Sequence, residues 1–202
     1  DIQNKGVDAS VTYHGAPNKD LKYDVGVIFT TYRSNITGIP GDYFEAGGSR
    51  IGNFVRNRVG HPIGSFFGYE VVGLFQDAAD VSKSPVQAGA KPGRFKYKDA
   101  NGDGKISDVD RVYFGNPNPK YTLGLNLNVS YKDFDFSTFL YGSFGNDVIN
   151  YVRYWTDFYP SFLGVKSLDA LNKSWLPTRT NTNVPIAEND ASFSTNQVPN
   201  SY

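Results

Sequence analysis

The sequence predicts an all-β chain, specifically a segment of antiparallel transmembrane β-barrel. Three observations carry this expectation. Four segments alternate apolar and polar residues with a period of two, residue usage favours strands and turns, and the connections between strands are grossly unequal in length. Of the 20 acidic residues only Glu45, Glu70 and Glu188 are Glu, which leaves 17 Asp, while Gly (21), Tyr (14) and Phe (15) are abundant. Strong helix formers are therefore scarce and strand and turn formers common.

The first hairpin is read near the start. Val7, Ala9, Val11 and Tyr13 alternate with Asp8, Ser10, Thr12 and His14, giving a strand near 7–14. The stretch GAPNKD, Gly15–Asp20, supplies the turn. The return strand, near 21–31, sets Leu21, Tyr23, Val25, Val27 and Phe29 against Lys22, Asp24, Gly26 and Ile28. The clearest strand is 121–131. Tyr121, Leu123, Leu125, Leu127, Val129 and Tyr131 line one face; Thr122, Gly124, Asn126, Asn128 and Ser130 line the other. Side chains of a strand alternate faces, so this segment has one apolar surface with a tyrosine at each end. Its length meets the roughly 9–11 residues that a tilted spanning strand needs, and terminal aromatics are what interfacial girdles supply. Lys132 and Asp133 then turn the chain into 134–144, where Phe134, Phe136, Thr138, Leu140 and Gly142 oppose Asp133, Asp135, Ser137, Phe139 and Tyr141.

Between the hairpins, 36–120 reads as a long loop of about 85 residues, too long for an ordinary connection and too rich in Gly for a helical domain. A second long loop, 146–202, follows the last strand. Within it Leu168, Leu171 and Trp175 recur at helical spacing behind Ser167, an N-cap residue, and predict a short helix. From Leu176 onward the tail is polar and irregular. A soluble β-sandwich accounts for any one hairpin, because alternation also places one face on a core. The combination of a full-length alternating strand, aromatic ends, an uncharged polar face and unequal connections favours the barrel.

Composition narrows function. With 20 basic and 20 acidic residues there is no cationic excess to displace phosphate counterions, so no nucleic-acid partner is expected. No Cys is present, hence no disulfide frame, thiolate metal site or cysteine nucleophile. No stretch approaches the roughly 20 apolar residues of a spanning helix. The chain starts at Asp1 and contains no Met, and is read as a fragment. His14 and His61 are the only histidines, and no nucleophile, zinc, phosphate-loop or dinucleotide pattern occurs, so no enzymatic activity is expected.

One motif carries metal chemistry. Residues 99–110, DANGDGKISDVD, match the twelve-residue calcium loop. Asp99, Asn101 and Asp103 stand at positions 1, 3 and 5, Gly104 at the sharp turn, Lys105 offers its backbone carbonyl at 7, Ser107 acts through a water at 9, and Asp110 closes at 12. Hard oxygen ligands at this spacing converge on one Ca2+. Asp in place of the bidentate Glu at position 12, and a strand-like RFKYK ahead of the loop, point to modest affinity and a structural role. An Asn/Asp/Gly turn without an ion is the simpler reading of the same residues.

The runs VGHPIGSFFGYEVVGLFQD (Val59–Asp77) and PGRFKYKDANGDGKISDVDRVYFGNPNPKYTLGLNLNVSYKDFDFSTFLYGSFGNDVIN (Pro92–Asn150) resemble the C-terminal barrel region of SusC/RagA-type TonB-dependent outer-membrane transporters of Bacteroidetes. The signatures are G-x-P-I-x-x-F-x-G-Y, K-D-x-N-G-D-G, G-N-P-x-P-K before a strand and G-x-x-G-N-D after one. The likeness spans about Asn4 to Trp175. It implies a 22-stranded barrel in the Gram-negative outer membrane, of which this chain supplies about four strands. It also implies a plug and TonB coupling through an N-terminal region, a SusD-like surface lipoprotein as partner, and uptake of an oligosaccharide or peptide. The turns at Gly15–Asp20 and Lys132–Asp133 would face the periplasm, the two long loops the outside. The competing expectation from another class is a soluble calcium-stabilised β module that binds surface glycans.

Overall fold

A computed structural model describes residues 1–48, 52–158 and 164–188. In chain order the strands are β1 (Ile2–Asn18), β2 (Leu21–Ile36), β3 (Tyr43–Gly48), β4 (Gly52–Arg58), β5 (Phe66–Tyr69), β6 (Val71–Leu74), β7 (Phe95–Tyr97), β8 (Arg111–Gly115), β9 (Tyr121–Tyr131) and β10 (Phe134–Phe144). Three short helices are α1 (Ala78–Lys83), α2 (Tyr151–Arg153) and α3 (Leu168–Lys173), with a π turn at Tyr154–Phe158. The chain divides into two compact units: Asp1–Glu45, Arg56–Ser65 and Gly115–Asp147 form the first, and Ala46–Val55, Phe66–Phe114 and Val148–Tyr202 the second.

The first unit is built on an antiparallel sheet of order β1-β2-β9-β10. Both hairpins expected from the sequence are present. The second has the bounds read from the alternation, whereas the first is longer at both strands, because its pairing continues from Ile2↔Ile36 down to Asn18↔Leu21. Its turn is correspondingly short, with Asn18 Oδ1 accepting from the N–H groups of Asp20 (3.0 Å) and Leu21 (2.9 Å). The rest of the predicted turn, Gly15–Asn18, is strand with a shift in register. Loss of strict alternation in Gly15-Ala16-Pro17 hid this continuation.

Register settles which side chains share a face. Val7, Val11 and Tyr13 of β1 oppose Thr31, Val27 and Val25; Val25 and Val27 oppose Leu127 and Leu125; Leu125 and Val129 oppose Leu140 and Phe136. Every strand thus turns its apolar set the same way. That face is bare: Val11 is 71% exposed, Phe134 79% and Leu140 59%. The opposite face carries His14, Asp24, Asn128 and Ser137 in one cross-strand row, in which His14 Nδ1 meets Asp24 Oδ1 at 2.5 Å and Ser137 Oγ donates to Asn128 Oδ1 at 2.5 Å. The polar face is not uniform, since Ile28 and Phe139 fold over Gly124 on that side.

Segment 36–120, read from the sequence as a loop, contains β3 to β8 and α1. Strands β3, β4, β5 and β8 make a second sheet in that order, and β6 pairs with β7. These strands are three to seven residues long, below the length at which alternation is legible. The apolar core of the second unit gathers Leu74, Phe95, Tyr97, Trp175 and Val184, with Tyr69, Val71, Ile106 and Ile186 packed against it. Trp175 N–H donates to Val184 O at 2.9 Å, so part of the polar tail closes this core. The predicted helix is α3, capped by Ser167, whose side chain accepts from Ala170 N at 2.9 Å. Its buried residue is Ala170, while Leu168 and Leu171 are exposed and Trp175 lies beyond the helix end. The remaining predicted tail, 189–202, lies outside the described residues.

Gly93 shows how tightly the core is closed. Its φ is +85°, and a Cβ there would lie 2.5 Å from Trp175 and 2.7 Å from Ile186. Gly93→Ala combines left-handed strain with overpacking, each roughly 1–3 kcal/mol, and is expected to lower stability by about 2 kcal/mol or more. Denaturant unfolding of the full chain followed by tryptophan fluorescence measures it, with the exposed Gly41→Ala, where nothing lies within 4 Å, separating strain from packing.

Candidate functional site

The calcium-like loop leaves β7 and enters β8 through a single 3-10 turn, Asp108–Asp110. Its position is fixed from outside by Val86, whose N–H donates to Gly104 O (2.9 Å) and whose carbonyl accepts from Ile106 N (2.8 Å). Val86 is held in turn by its neighbour Gln87, buried at 8% exposure, which donates to Phe95 O (2.7 Å) and accepts from Tyr97 N (3.0 Å). A buried amide that completes two strand hydrogen bonds ties the loop's base to the core. This tie was not legible in the sequence, where Gln87 looks like any polar loop residue.

Within the loop the five predicted ligands fall into two groups. Asp99 accepts from Gly102 N (2.7 Å) and Gly104 N (2.8 Å), Asn101 Oδ1 from Asp103 N (3.0 Å), and Asp103 Oδ1 from Lys105 N (2.9 Å). Asn101 Nδ2 also donates to Asp103 Oδ2 at 3.1 Å, so these two side chains share one exposed rim, with Asp99 half-buried in the same loop. Lys105 is exposed beside them. Asp110 is turned inward and 1% exposed. Its Oδ1 accepts from Ala100 N (2.9 Å) and its Oδ2 from Ser107 N (2.8 Å), with longer contacts from Asn101 N and Ser107 Oγ at 3.4 Å. Among the described residues no three Asp, Glu or His side chains form a group that could hold a metal ion.

Burial raises the Asp110 carboxyl, but the N–H donors of Ser107, Ala100 and Asn101 outweigh it and hold the group below the usual aspartate range. The same balance occurs at Glu188, where burial is overcome by Arg94 (2.5 Å) and Lys91 (2.9 Å). Arg94 is itself nearly buried and donates to Gly89 O at 2.8 Å, so this clamp joins the tail to the stretch before β7. Glu188 is one of only three Glu residues, yet nothing in its spacing marks it as a partner of Arg94.

No family model matches the chain. Curated relatives do: TonB-dependent receptor P3 of Formosa agariphila is 30% identical over 191 residues, 92% of this chain and 19% of the relative. TonB-dependent receptor SusC of Bacteroides thetaiotaomicron is 28% identical over 156 residues, 73% of this chain and 14% of the relative. A solved structure of the RagAB peptide transporter superposes with a TM-score of 0.69 at 20% identity, covering 96% of this chain and 20% of that one, which is a likeness of fold. The fold defined is all-β with antiparallel sheets. The chain is similar to TonB-dependent receptors, SusC among them, as the resemblance implied, and spans about a fifth of the length of the first two curated relatives.

Asp110 gives a pH prediction. Its depressed carboxyl contributes stability that is complete above the unfolded value of about 4 and is lost as pH falls through the lower folded value. Hydrogen-exchange protection at Ala100 and Ser107 is expected to hold from pH 7 to about 4 and fall below it. Asp110→Asn removes that acid dependence and costs about 1–3 kcal/mol, because donors are left facing an amide.

Proposed function

We propose that the chain is part of an outer-membrane transporter whose β1-β2-β9-β10 sheet is a stretch of transmembrane barrel wall. On this reading the protein imports a glycan or peptide together with a SusD-like lipoprotein, driven through TonB by a region outside this sequence. The observation that carries it is the bare apolar face. The four strands expose Val7 and Val11, Val27, Leu123, and Phe136 and Leu140 on one side. A contiguous apolar surface of that kind needs a nonaqueous neighbour. Residues on the two faces also have the polarity that a barrel with a wet lumen requires. No helix among the described residues is long and apolar enough to cross a membrane, so a crossing would be made by strands. The named relatives, TonB-dependent receptors and SusC, and the peptide transporter RagAB support the class. The competing soluble glycan-binding module would have to cover the same face.

A bound Ca2+ belongs to this proposal as a structural element. Asp99, Asn101 and Asp103, with the Lys105 carbonyl, supply hard oxygens in the loop, while Asp110 holds the loop's shape from inside. The ion would neutralise the Asp99 and Asp103 carboxylates and stiffen the excursion between β7 and β8.

Two measurements test these readings. In the full-length protein, Leu125→Arg is expected to cost roughly 2–4 kcal/mol if Leu125 lies near the bilayer midplane, and Asn126→Arg to be tolerated. Labels at Leu125, and not at Asn126, should be quenched by lipid-phase quenchers; equal quenching at both defeats the wall. Millimolar calcium should raise the unfolding temperature. Asp99→Ala should abolish the shift and Ser107→Ala reduce it slightly, whereas calorimetry without calcium-dependent heat leaves a turn with no ion.

A further inference from the structure

Lys5, Arg33 and Lys120 are among the cations of the first unit that have no carboxylate partner among the described residues. Lys5 and Arg33 are paired directly across β1 and β2. Both belong to the apolar face, because Lys5 shares parity with Val7 and Val11, and Arg33 with Phe29 and Val27. Like charges directly opposed repel, so this pair is incomplete without an anion. Lys120 is the third; its stem lies over Gly145, where a Cβ would come within 2.7 Å of Lys120 Cδ.

Arg33 and Lys120 meet where the sheet divides, and Lys5 stands opposite Arg33 on β1. Pairing of β1 with β2 continues to Ile2↔Ile36, but that of β2 with β9 ends at Thr30↔Thr122. The split leaves a cavity of about 430 Å3 lined by Thr31–Asn35, Asn116, Asn118 and Lys120, with no acidic residue in its lining. Thr31 Oγ1 closes its floor by donating to Lys120 O at 2.7 Å. Ser34 is 7% exposed, lines the cavity, and its hydroxyl has no partner among the described residues. Asp147 accepts from Asn116 N at 2.8 Å, and Asp1 stands four residues from Lys5, about 13 Å along the strand.

Beneath Lys5 and Arg33, on the apolar face, Phe29, Tyr121 and Phe144 stack in a row with centroids 6.1 and 5.0 Å apart. The order is apolar surface, aromatic row, then unpaired cations. At the other end of the sheet the turns carry both signs, Lys19–Asp20 and Lys132–Asp133. Aromatics at the headgroup level and cations just beyond match the layers of a membrane with anionic headgroups.

We propose that Arg33, Lys5 and Lys120, with the cavity at the β2–β9 split, bind the phosphate of an anionic outer-leaflet lipid. This rests on the reading of the apolar face as lipid-facing. Arg33 offers a planar fork to phosphate oxygens, Lys5 and Lys120 add charge, and acyl chains continue down the aromatic and aliphatic face. A free phosphate would use the cations alone, and the apolar continuation favours the lipid.

The test uses full-length protein in detergent, titrated with bisphosphorylated lipid A and read by native mass spectrometry. Arg33→Glu/Lys120→Glu should weaken binding at least tenfold and Arg33→Gln/Lys120→Gln less, while Lys22→Glu, on the polar face, should leave it unchanged. Dephosphorylated lipid A should bind the parent at least tenfold more weakly, and millimolar inorganic phosphate should not displace the lipid. Equal binding by parent and both double variants, or displacement by inorganic phosphate, overturns the proposal. Quenching of a Val11→Trp reporter by brominated lipid, measured in parent and variants, keeps the outcomes apart. Quenching with unchanged lipid A binding ends the headgroup site alone, and absence of quenching in the parent ends the barrel-wall reading.

Discussion

Cross-strand register in the β1-β2-β9-β10 sheet is the constraint on which the rest depends. A strand presents alternate residues to opposite faces, so one slip between β2 and β9 would put Leu123, Leu125 and Leu127 on the face that Asp24 and Lys22 of β2 occupy. The observed register avoids this over ten consecutive pairs from Leu21↔Tyr131 to Thr30↔Thr122, and the result is one apolar and one polar surface. Aromatic side chains fill the gaps that glycines leave: the Tyr23 ring lies over Gly15, where a Cβ would come within 2.2 Å of it. The unequal division of polarity, the exposed aromatic row and the split that isolates Arg33 all follow from how far each pairing runs.

Legibility in the sequence followed length. Strands β9 and β10, at eleven residues each, could be bounded to the residue because five or six alternations leave no competing period. The first hairpin was found but shortened, since Gly6, Gly15 and Pro17 interrupt the pattern without interrupting the pairing. Segment 36–120 was opaque for the opposite reason. Its strands are too short to show a period, and its core is assembled from Leu74, Phe95, Trp175 and Val184, which are separated by up to about a hundred residues. Ser167 announced its helix, yet the helix buries Ala170 in place of its leucines. The spacing of Leu168, Leu171 and Trp175 runs past the end of a six-residue element that stops at Lys173.

The loop 99–110 was legible as a pattern and less so as a geometry. Spacing predicts Asp99, Asn101 and Asp103 as ligands of one ion; in the structure Asn101 and Asp103 contact each other, while Asp99 accepts from Gly102 N and Gly104 N. It could not reveal that Asp110 faces Ala100 and Ser107, because a carboxylate at a loop's end serves equally as an ion ligand or as an acceptor for backbone N–H groups. The choice depends on burial, and burial here is set by the contacts of Val86 and Gln87, neither of which belongs to the motif. The family likeness rested on longer runs of residues and survived these local differences, since it requires only that the order of the signatures be right.

The pairing of β2 with β9 also bears on how the sheet is assembled. Hairpins β1-β2 and β9-β10 are made from neighbours in sequence and can form early, whereas β2 and β9 meet across about 90 residues. Closing a disordered loop of that size costs chain entropy before any hydrogen bond is gained. The intervening stretch packs its core with Trp175 and Val184 from beyond β10, and its ends are joined where Thr31 Oγ1 donates to Lys120 O. The seam between the two hairpins is therefore the pairing of this sheet with the largest closure cost, and order in residues that contribute no strand to the sheet lowers that cost.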